Sequence, residues 1–118
     1  MTDPILSIAL MLACEANHST DIERLVVVQV VLNRAQADDM YLHDVLLEPR
    51  QFCLRDMRKD DPRLLPHLQF VRQVLQYQPP DMTGGALYFT TTDKSPKTLK
   101  PLELTVRWGD FRLWRERI

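Results

Sequence analysis

The feature that most constrains the fold is an apolar run that follows a helix-start signal. Thr20 and Glu23 have the spacing of a capping box, in which the threonine caps a helix and the glutamate lies in its first turn. Residues 25–32 follow and are apolar except for Gln29. The valines in this run would alone favour a strand, but the cap and the continuation through residues 33–37 favour a helix. A helix that is apolar on every side is buried, so we predict a central helix.

An earlier apolar segment ends in a carboxylate. Asp3 followed by Pro4 is typical of a helix start, and the apolar residues that follow predict a helix ending near residues 15–17. Glu15 then lies at the end of this helix, where partial removal from water favours the neutral carboxyl group. A general acid requires that neutral form, so Glu15 is the strongest catalytic candidate. The ordinary alternative is a surface carboxylate that points to water.

Proline signals indicate two more helices. A short helix is expected over residues 43–47, followed by a loop over residues 50–60. Asp61 and Pro62 predict the start of a longer helix, which the prolines at residues 79–80 would end. Its apolar stripe consists of Leu64, Leu68, Val71 and Leu75.

Short extended segments follow in the last third of the chain. Residues 86–91 are a candidate strand, and residues 103–108 and 111–116 are a candidate hairpin. Gly109 and Asp110 between the two hairpin segments suit a two-residue turn. The sequence therefore predicts a mainly helical α+β fold with a small antiparallel sheet or hairpin.

The composition predicts one domain over residues 1–118, because 45% hydrophobic and 26% charged residues are typical of a globular protein with a core. Residues 1–93 carry 8 Lys and Arg against 13 Asp and Glu, whereas residues 94–118 carry 7 against 3. The basic end suits either an acidic partner or solvent. Without a helix of clustered Arg and Lys, nucleic acid is not an expected partner.

The first apolar segment and the two cysteines bear on where the chain acts. No Lys or Arg precedes the apolar segment, and it is too short to span a bilayer. We therefore expect synthesis in the cytoplasm without a signal peptide, and no membrane insertion. Cys14 and Cys53 lack the spacing of a metal site, and buried free thiols are the expected state, although a disulfide between them stays open.

Later residues add candidates for binding a ligand. Gly84 and Gly85 permit a close approach of the backbone, and Tyr88 adds a hydroxyl beside them. Gln51 has an amide that suits a hydroxyl or acetamido group of a sugar, and Phe52 follows it. Each has an ordinary alternative as a turn or packing residue. Combined with one acid, these residues outline a site that cleaves sugars.

The other titratable residues have structural explanations. Glu23 is expected to act in the capping box rather than in catalysis. The remaining acids suit turns and helix caps. His18, His43 and His67 do not form a metal-binding pattern, and no metal or cofactor is implied.

In order and spacing, these motifs resemble the SleB-like cell wall hydrolases, the catalytic domain of spore cortex-lytic enzymes and related phage lysins. Residues 15–17 match the start of that family's EARGE-type motif, and residues 31–34 match the VLNR that ends its next helix. Residues 48–52 correspond to its QF loop. Residues 83–89 match its TGGALYF segment letter for letter.

The resemblance implies a lysozyme-like domain that cleaves the β-1,4 bond between N-acetylmuramic acid and N-acetylglucosamine. It also implies a lytic transglycosylase with one catalytic glutamate, which is Glu15 here. Three positions depart from the family: Ser19 replaces its second glutamate, residues 90–92 lack its asparagine, and Phe111 takes the place of a histidine.

Two hypotheses follow. In the first, the chain is a lytic transglycosylase that acts on peptidoglycan glycan strands, with muramidase-type hydrolysis as the alternative. In the second, it is a catalytically weakened glycan-binding or structural component of a phage tail or baseplate, with virion proteins as partners. In either case we expect it to act at the bacterial cell wall, released after lysis pore formation or carried in a virion.

Overall fold

The computed structural model describes residues 3–17, 19–39, 57–98 and 100–117. Along these residues helices precede strands: α1 Pro4–Glu15, α2 Asp21–Ala37, α3 Leu65–Tyr77, β1 Tyr88–Thr90, β2 Leu102–Trp108 and β3 Phe111–Glu116. This arrangement confirms the prediction of a mainly helical α+β fold with a small antiparallel sheet, compatible with a lysozyme-like domain. The predicted helix at residues 43–47 and most of the predicted loop at residues 50–60 lie outside the described residues.

Side-chain caps start α1 and α2 as predicted. Oδ1 of Asp3 accepts a hydrogen bond from the N–H of Ile5 (3.0 Å). At the start of α2, Thr20 Oγ1 accepts from the N–H of Glu23 (3.3 Å), and Glu23 Oε1 accepts from the N–H of Thr20 (3.0 Å). Such reciprocal bonds satisfy backbone donors that the first helical turn leaves without partners. Both helices also end where the sequence predicted.

α3 begins three residues later than the sequence predicted. The N–H of Leu64 donates to the carbonyl of Asp61 (3.0 Å), which closes a tight turn of the 3₁₀ type. Asp61 Oδ1 accepts from the N–H of Arg63 (2.9 Å), so this aspartate caps the turn rather than the helix. The α-helical pattern starts with the bond from Leu68 N–H to the Leu64 carbonyl (3.0 Å).

The sheet has the strand order β1-β3-β2, and both pairings are antiparallel. β2 and β3 form the predicted hairpin, and β1 lies within the predicted extended segment. The register of β2 shifts between Leu104 and Val106. Thr105, at this shift, donates its hydroxyl to the backbone carbonyl of Thr83 (2.6 Å). The irregularity therefore connects the sheet to the loop that precedes β1.

α2 is the central helix of the described residues, because it contacts α1, β1 and β2. Five of its valines have no exposed surface: Val26, Val27, Val28, Val30 and Val31. This burial confirms the prediction from the apolar run, and each buried valine side chain contributes roughly 1.5–3 kcal/mol to folding. No helix in this part of the chain is both long and apolar enough to cross a membrane.

Candidate functional site

Glu15 is the last residue of α1 and is half-buried. Ala16 after it is 1% exposed, and its N–H donates to the carbonyl of Leu12 (2.8 Å). Glu15 is therefore next to a core residue, at the helix end whose dipole disfavours a negative charge. This position agrees with the sequence interpretation, whereas the catalytic role of Glu15 stays a prediction.

The chain beyond Glu15 is held by two other helices, through residues that the sequence analysis did not single out. Nε2 of His67 in α3 lies 3.0 Å from Oδ1 of Asn17. Nη2 of Arg24 in α2 donates to the backbone carbonyl of Asn17 (3.3 Å). Since Asn17 and His67 are fifty positions apart, only the packing of α3 against α1 reveals this contact.

His67 lies in α3 and is only 4% exposed, although no pattern in the sequence marked it as buried. Its burial, and secondarily the positive charge of Arg24, hold the pKa of the imidazole below its usual value of 6.5. Nδ1 of His67 and Nε of Arg24 are buried without a hydrogen-bond partner in the described part of the chain. The junction therefore contains a neutral imidazole next to a cation.

The predicted glycine turn is built around Asp81, another residue that the sequence analysis missed. Its Oδ1 accepts from the N–H (3.0 Å) and the hydroxyl (2.6 Å) of Thr83, and its Oδ2 accepts from the N–H of Gly85 (2.8 Å). Gly84 and Gly85 have φ angles of +66° and +78°, which are strained for other residues. The turn therefore presents an exposed Gly-Gly backbone on a fixed frame.

Asn33 of α2 attaches this turn to the central helix. Its amide donates to Thr83 Oγ1 (3.0 Å) and to the carbonyl of Ala86 (3.0 Å). Asn33 belongs to the VLNR segment, and the turn belongs to the TGGALYF segment. Two motifs that are fifty residues apart in the sequence thus form one hydrogen-bonded unit. An open groove of about 270 Å³ borders this unit, and Asn33 and Asp81 are among its lining residues.

Tyr88 is half-buried at the start of β1, where it pairs with Trp114 of β3. The guanidinium of Arg34 stacks on the ring of Tyr88, 4.5 Å from its centroid. Arg34 is itself only 6% exposed and comes directly after Asn33, so the end of α2 orients both the tyrosine and the glycine turn. Stacking of this kind contributes about 0.5–2 kcal/mol.

α2 is thus the element that relates the predicted site residues to one another. Arg24 near its start holds the chain beyond Glu15, and Asn33 and Arg34 near its end hold the glycine turn and Tyr88. Nine positions of α-helix correspond to a rise of about 14 Å, so these regions flank an extended surface rather than one compact cluster. Gln51 and Phe52, the other predicted binding residues, lie outside the described residues.

Glu23 is structural, as the sequence predicted. Besides the capping box, its Oε2 accepts from the N–H of Asp110 in the hairpin turn (3.0 Å). The hydrogen bonds from the Thr20 and Asp110 backbones hold the pKa of Glu23 below its usual value. Phe111, where the family has a histidine, is a core residue that packs edge-to-face on Phe89 (5.6 Å between centroids).

The expectation of a free thiol at Cys14 is wrong, because Cys14 is disulfide-bonded. A half-buried cysteine in an apolar helix gives no sequence signal that separates the two states, since pairing depends on distances in the fold. Cys53 lies outside the described residues. Within the residues that the structure describes, no three His, Cys, Asp or Glu side chains are grouped as metal ligands would be.

Comparison with known proteins supports the resemblance seen in the motifs. The sequence profile of the Cell Wall Hydrolase family matches residues 19–111, which include the VLNR and TGGALYF segments and begin just after Glu15. Searches of curated proteins and of solved structures gave no match. Because the match covers well over half of the chain, this protein belongs to the Cell Wall Hydrolase family, whose substrate is peptidoglycan.

Proposed function

We propose that this protein is a peptidoglycan lytic transglycosylase in which Glu15 is the single catalytic acid. The observation that carries the proposal is the placement of Glu15, half-buried at the end of a buried helix. A general acid acts from a site that is partly shielded from water, and the end of α1 is such a site.

The other sheltered carboxylates in the described residues take part in a helix cap, turns and ion pairs. Glu23 is used by the capping box and by the hairpin turn. The half-buried ones are each paired with a cation: Asp61 with Arg63, Glu103 with Arg115 and Glu116 with Lys100. A glycosidase with two catalytic carboxylates would require a second carboxylate facing the same bond. A mechanism with one carboxyl group therefore fits these residues best.

In this mechanism Glu15 donates its proton to the glycosidic oxygen, and the bond from C1 of N-acetylmuramic acid to that oxygen breaks. The positive charge that develops on the muramic acid ring is relieved when its own C6 hydroxyl attacks C1. The Glu15 carboxylate then takes the hydroxyl proton, which returns the acid to its starting form. The products are a 1,6-anhydromuramic acid end and a free 4-hydroxyl on N-acetylglucosamine.

The glycine turn and Tyr88 are proposed to bind the glycan strand. Gly84 and Gly85 expose backbone in a conformation fixed by Asp81, and hydroxyl or acetamido groups of sugars suit such backbone groups. Tyr88, held by Arg34, offers a ring face and a hydroxyl. Gln51 and Phe52 are proposed to contribute from the intervening segment. The site of action would be the bacterial cell wall, reached after lysis pore formation or from a virion.

The proposal is tested by mass spectrometry of the products that wild type, Glu15→Gln and Glu116→Gln release from purified peptidoglycan. Glu116→Gln is a matched control, because Glu116 lies at the end of β3 and its carboxylate forms an ion pair with Lys100. We expect anhydro-muropeptides from wild type and the control, and a loss of about 10²–10⁴-fold in their rate of release with Glu15→Gln.

Other outcomes distinguish the alternatives. Reducing muramic acid ends that depend on Glu15 would show muramidase-type hydrolysis instead of transglycosylation. If circular dichroism shows that every variant is folded and none of them releases products, the proposal that this protein is an enzyme is contradicted. The protein would then be a glycan-binding or structural component, such as a phage tail or baseplate protein, and binding to peptidoglycan would tolerate Glu15→Gln.

A further inference from the structure

The end of α1 is a junction of three helices that centres on Asn17. His67 from α3 contacts the side chain of Asn17 (3.0 Å), and Arg24 from α2 donates to its backbone carbonyl (3.3 Å). The N–H of Ser19 donates to the carbonyl of Ala16 (3.2 Å), which closes the turn around Asn17. Since Asn17 is two residues beyond Glu15, whatever holds Asn17 also limits where the Glu15 carboxyl group can lie.

The hydrogen bond defines the tautomer of His67. Oδ1 of Asn17 is an acceptor, so Nε2 of His67 carries the proton and donates it. Nδ1 is then a lone-pair nitrogen, buried without a partner among the described residues. A second proton on Nδ1 would be a buried donor without an acceptor, beside a guanidinium. This environment opposes protonation, in agreement with the lowered pKa of His67.

We propose that His67 is a positioning residue for the reaction, whose neutral imidazole holds Asn17 and thereby fixes the Glu15 carboxyl group at the end of α1. This inference rests on the proposed role of Glu15. His67 does not touch the sugar in this scheme. Its effect is on geometry, and a misplacement of about 1 Å in a reacting group can lower the rate by about 100-fold.

The arrangement makes the geometry sensitive to pH. Protonation of His67 at Nδ1 keeps the Nε2–H donor to Asn17. It also places a second cation next to Arg24 and a buried donor without an acceptor among the described residues, which weakens the packing of α3 at this junction. Among the described residues, Arg24 is the charged neighbour of His67, Asp21 is the ion-pair partner of Arg24 (3.0 Å), and Glu15 is two residues from Asn17. His18, which follows Asn17 in the sequence, lies outside the described residues. A variant of His67 that cannot titrate separates its contribution from these others.

The test compares wild type, His67→Ala, His67→Gln and Gln69→Ala for glycan cleavage over a range of pH. The glutamine amide can occupy the place of Nε2 and donate to Asn17, but it does not titrate. Gln69 lies on the same helix and is exposed, so it serves as the control. We expect His67→Ala to lower kcat by up to about 100-fold with little change in KM. His67→Gln should restore kcat to within a few-fold of wild type and shift or remove the acid limb of the pH profile.

A double-mutant cycle adds a second readout. Asn17→Ala should lower kcat about as much as His67→Ala, and the double variant should lose little more, because both remove the same contact. Thermal unfolding of each variant shows whether it is folded. Additive losses, a kcat for His67→Ala equal to wild type, or an acid limb that is identical in His67→Gln would each overturn the positioning role.

These results are separable from the proposed function itself. If Glu15→Gln cleaves as fast as wild type, the assignment of Glu15 fails, and the positioning role fails with it. If Glu15→Gln is inactive while His67→Ala is fully active, Glu15 stands and only the role of His67 is overturned.

Discussion

The two ends of the candidate site are held in different ways. At the glycine turn, the Asp81 carboxylate accepts three hydrogen bonds, and Asn33 and Thr105 add further bonds from α2 and β2. At the end of α1, His67 contacts the side chain of Asn17 and Arg24 donates to its backbone carbonyl, and each also carries a buried nitrogen without a partner in the described residues.

The glycine turn is therefore held rigidly, whereas the junction at Asn17 can respond to pH. The glycine turn is over-determined, because loss of any one bond leaves others that hold Gly84 and Gly85 in their left-handed conformation. The junction at Asn17 depends on contacts that the protonation state of one imidazole can change. The proposed acid therefore sits on the adjustable part of the site, and the proposed sugar-binding backbone sits on the fixed part.

The largest effect on stability within this comparison is expected from Asp81→Ala. It removes the acceptor of three hydrogen bonds, two of them donated by the fully buried Thr83, and we expect a loss of about 2–4 kcal/mol in the free energy of unfolding. Urea denaturation measures this loss. Asp81→Asn keeps one acceptor oxygen and should lose about half as much. An equal loss in both variants would contradict the distribution of bonds over the two oxygens.

An intermediate effect is expected from the two glycines, which differ in their surroundings. A Cβ at Gly84 would lie 3.2 Å from Cβ of Thr105, whereas a Cβ at Gly85 meets no atom within 4 Å. Gly85→Ala should therefore lower the free energy of unfolding only by the backbone cost of about 1–2 kcal/mol, and Gly84→Ala by more.

The same pair tests whether the turn contacts substrate. If a glycan strand lies against the turn, the methyl group of Gly85→Ala occupies space that the sugar needs, and KM rises more than the change in Tm would suggest. Tm values from thermal unfolding and KM on soluble glycan fragments give the comparison. A wild-type KM in folded Gly85→Ala would exclude close contact at this position.

The smallest effect on stability is expected from mild acid. As the pH falls, the junction at Asn17 should be destabilised before the glycine turn. Because the pKa of His67 is lowered in the folded protein, His67 binds a proton near pH 6.5 in the unfolded chain but only at a lower pH in the folded chain. The free energy of unfolding therefore falls as the pH drops below 6.5, and it stops falling once the pH is below the pKa of His67 in the folded protein. Urea denaturation at pH 6.5 and 4.5 should show this loss in wild type and less of it in His67→Gln.

The glycine turn should resist this range of pH. Burial alone would raise the pKa of Asp81, but hydrogen bonds from Thr83, Gly85 and Asn33 outweigh it and hold the pKa below 3.8. Its stabilising contribution is thus present above pH 3.8 and is lost as the pH falls through the lower folded value. Hydrogen exchange at pH 4.5 should therefore show that the Gly85 amide is still protected, whereas the amides around Asn17 are less protected than at pH 6.5. If both regions lose protection at the same pH, the proposed difference between them is wrong.

The amino-acid sequence by itself determined the local elements and the candidate motifs. The caps at Asp3 and Thr20, the apolar run in α2 and the hairpin turn are decided by contacts within a few residues, which is why they could be predicted. The displaced start of α3 is the exception, because the Asp61 side chain satisfied a competing turn. The glycine turn could be predicted from its two consecutive glycines, since the left-handed backbone conformation favours glycine.

Only the tertiary structure decided what holds the site together. Asn33 meets Thr83, His67 meets Asn17 and Arg34 meets Tyr88 across about fifty residues of sequence, and none of these pairs has a local signal. The disulfide state of Cys14 and the buried, neutral state of His67 were likewise settled by packing. Burial and long-range hydrogen bonds are properties of the assembled core, so the chemistry of these side chains follows from their neighbours in space rather than in sequence.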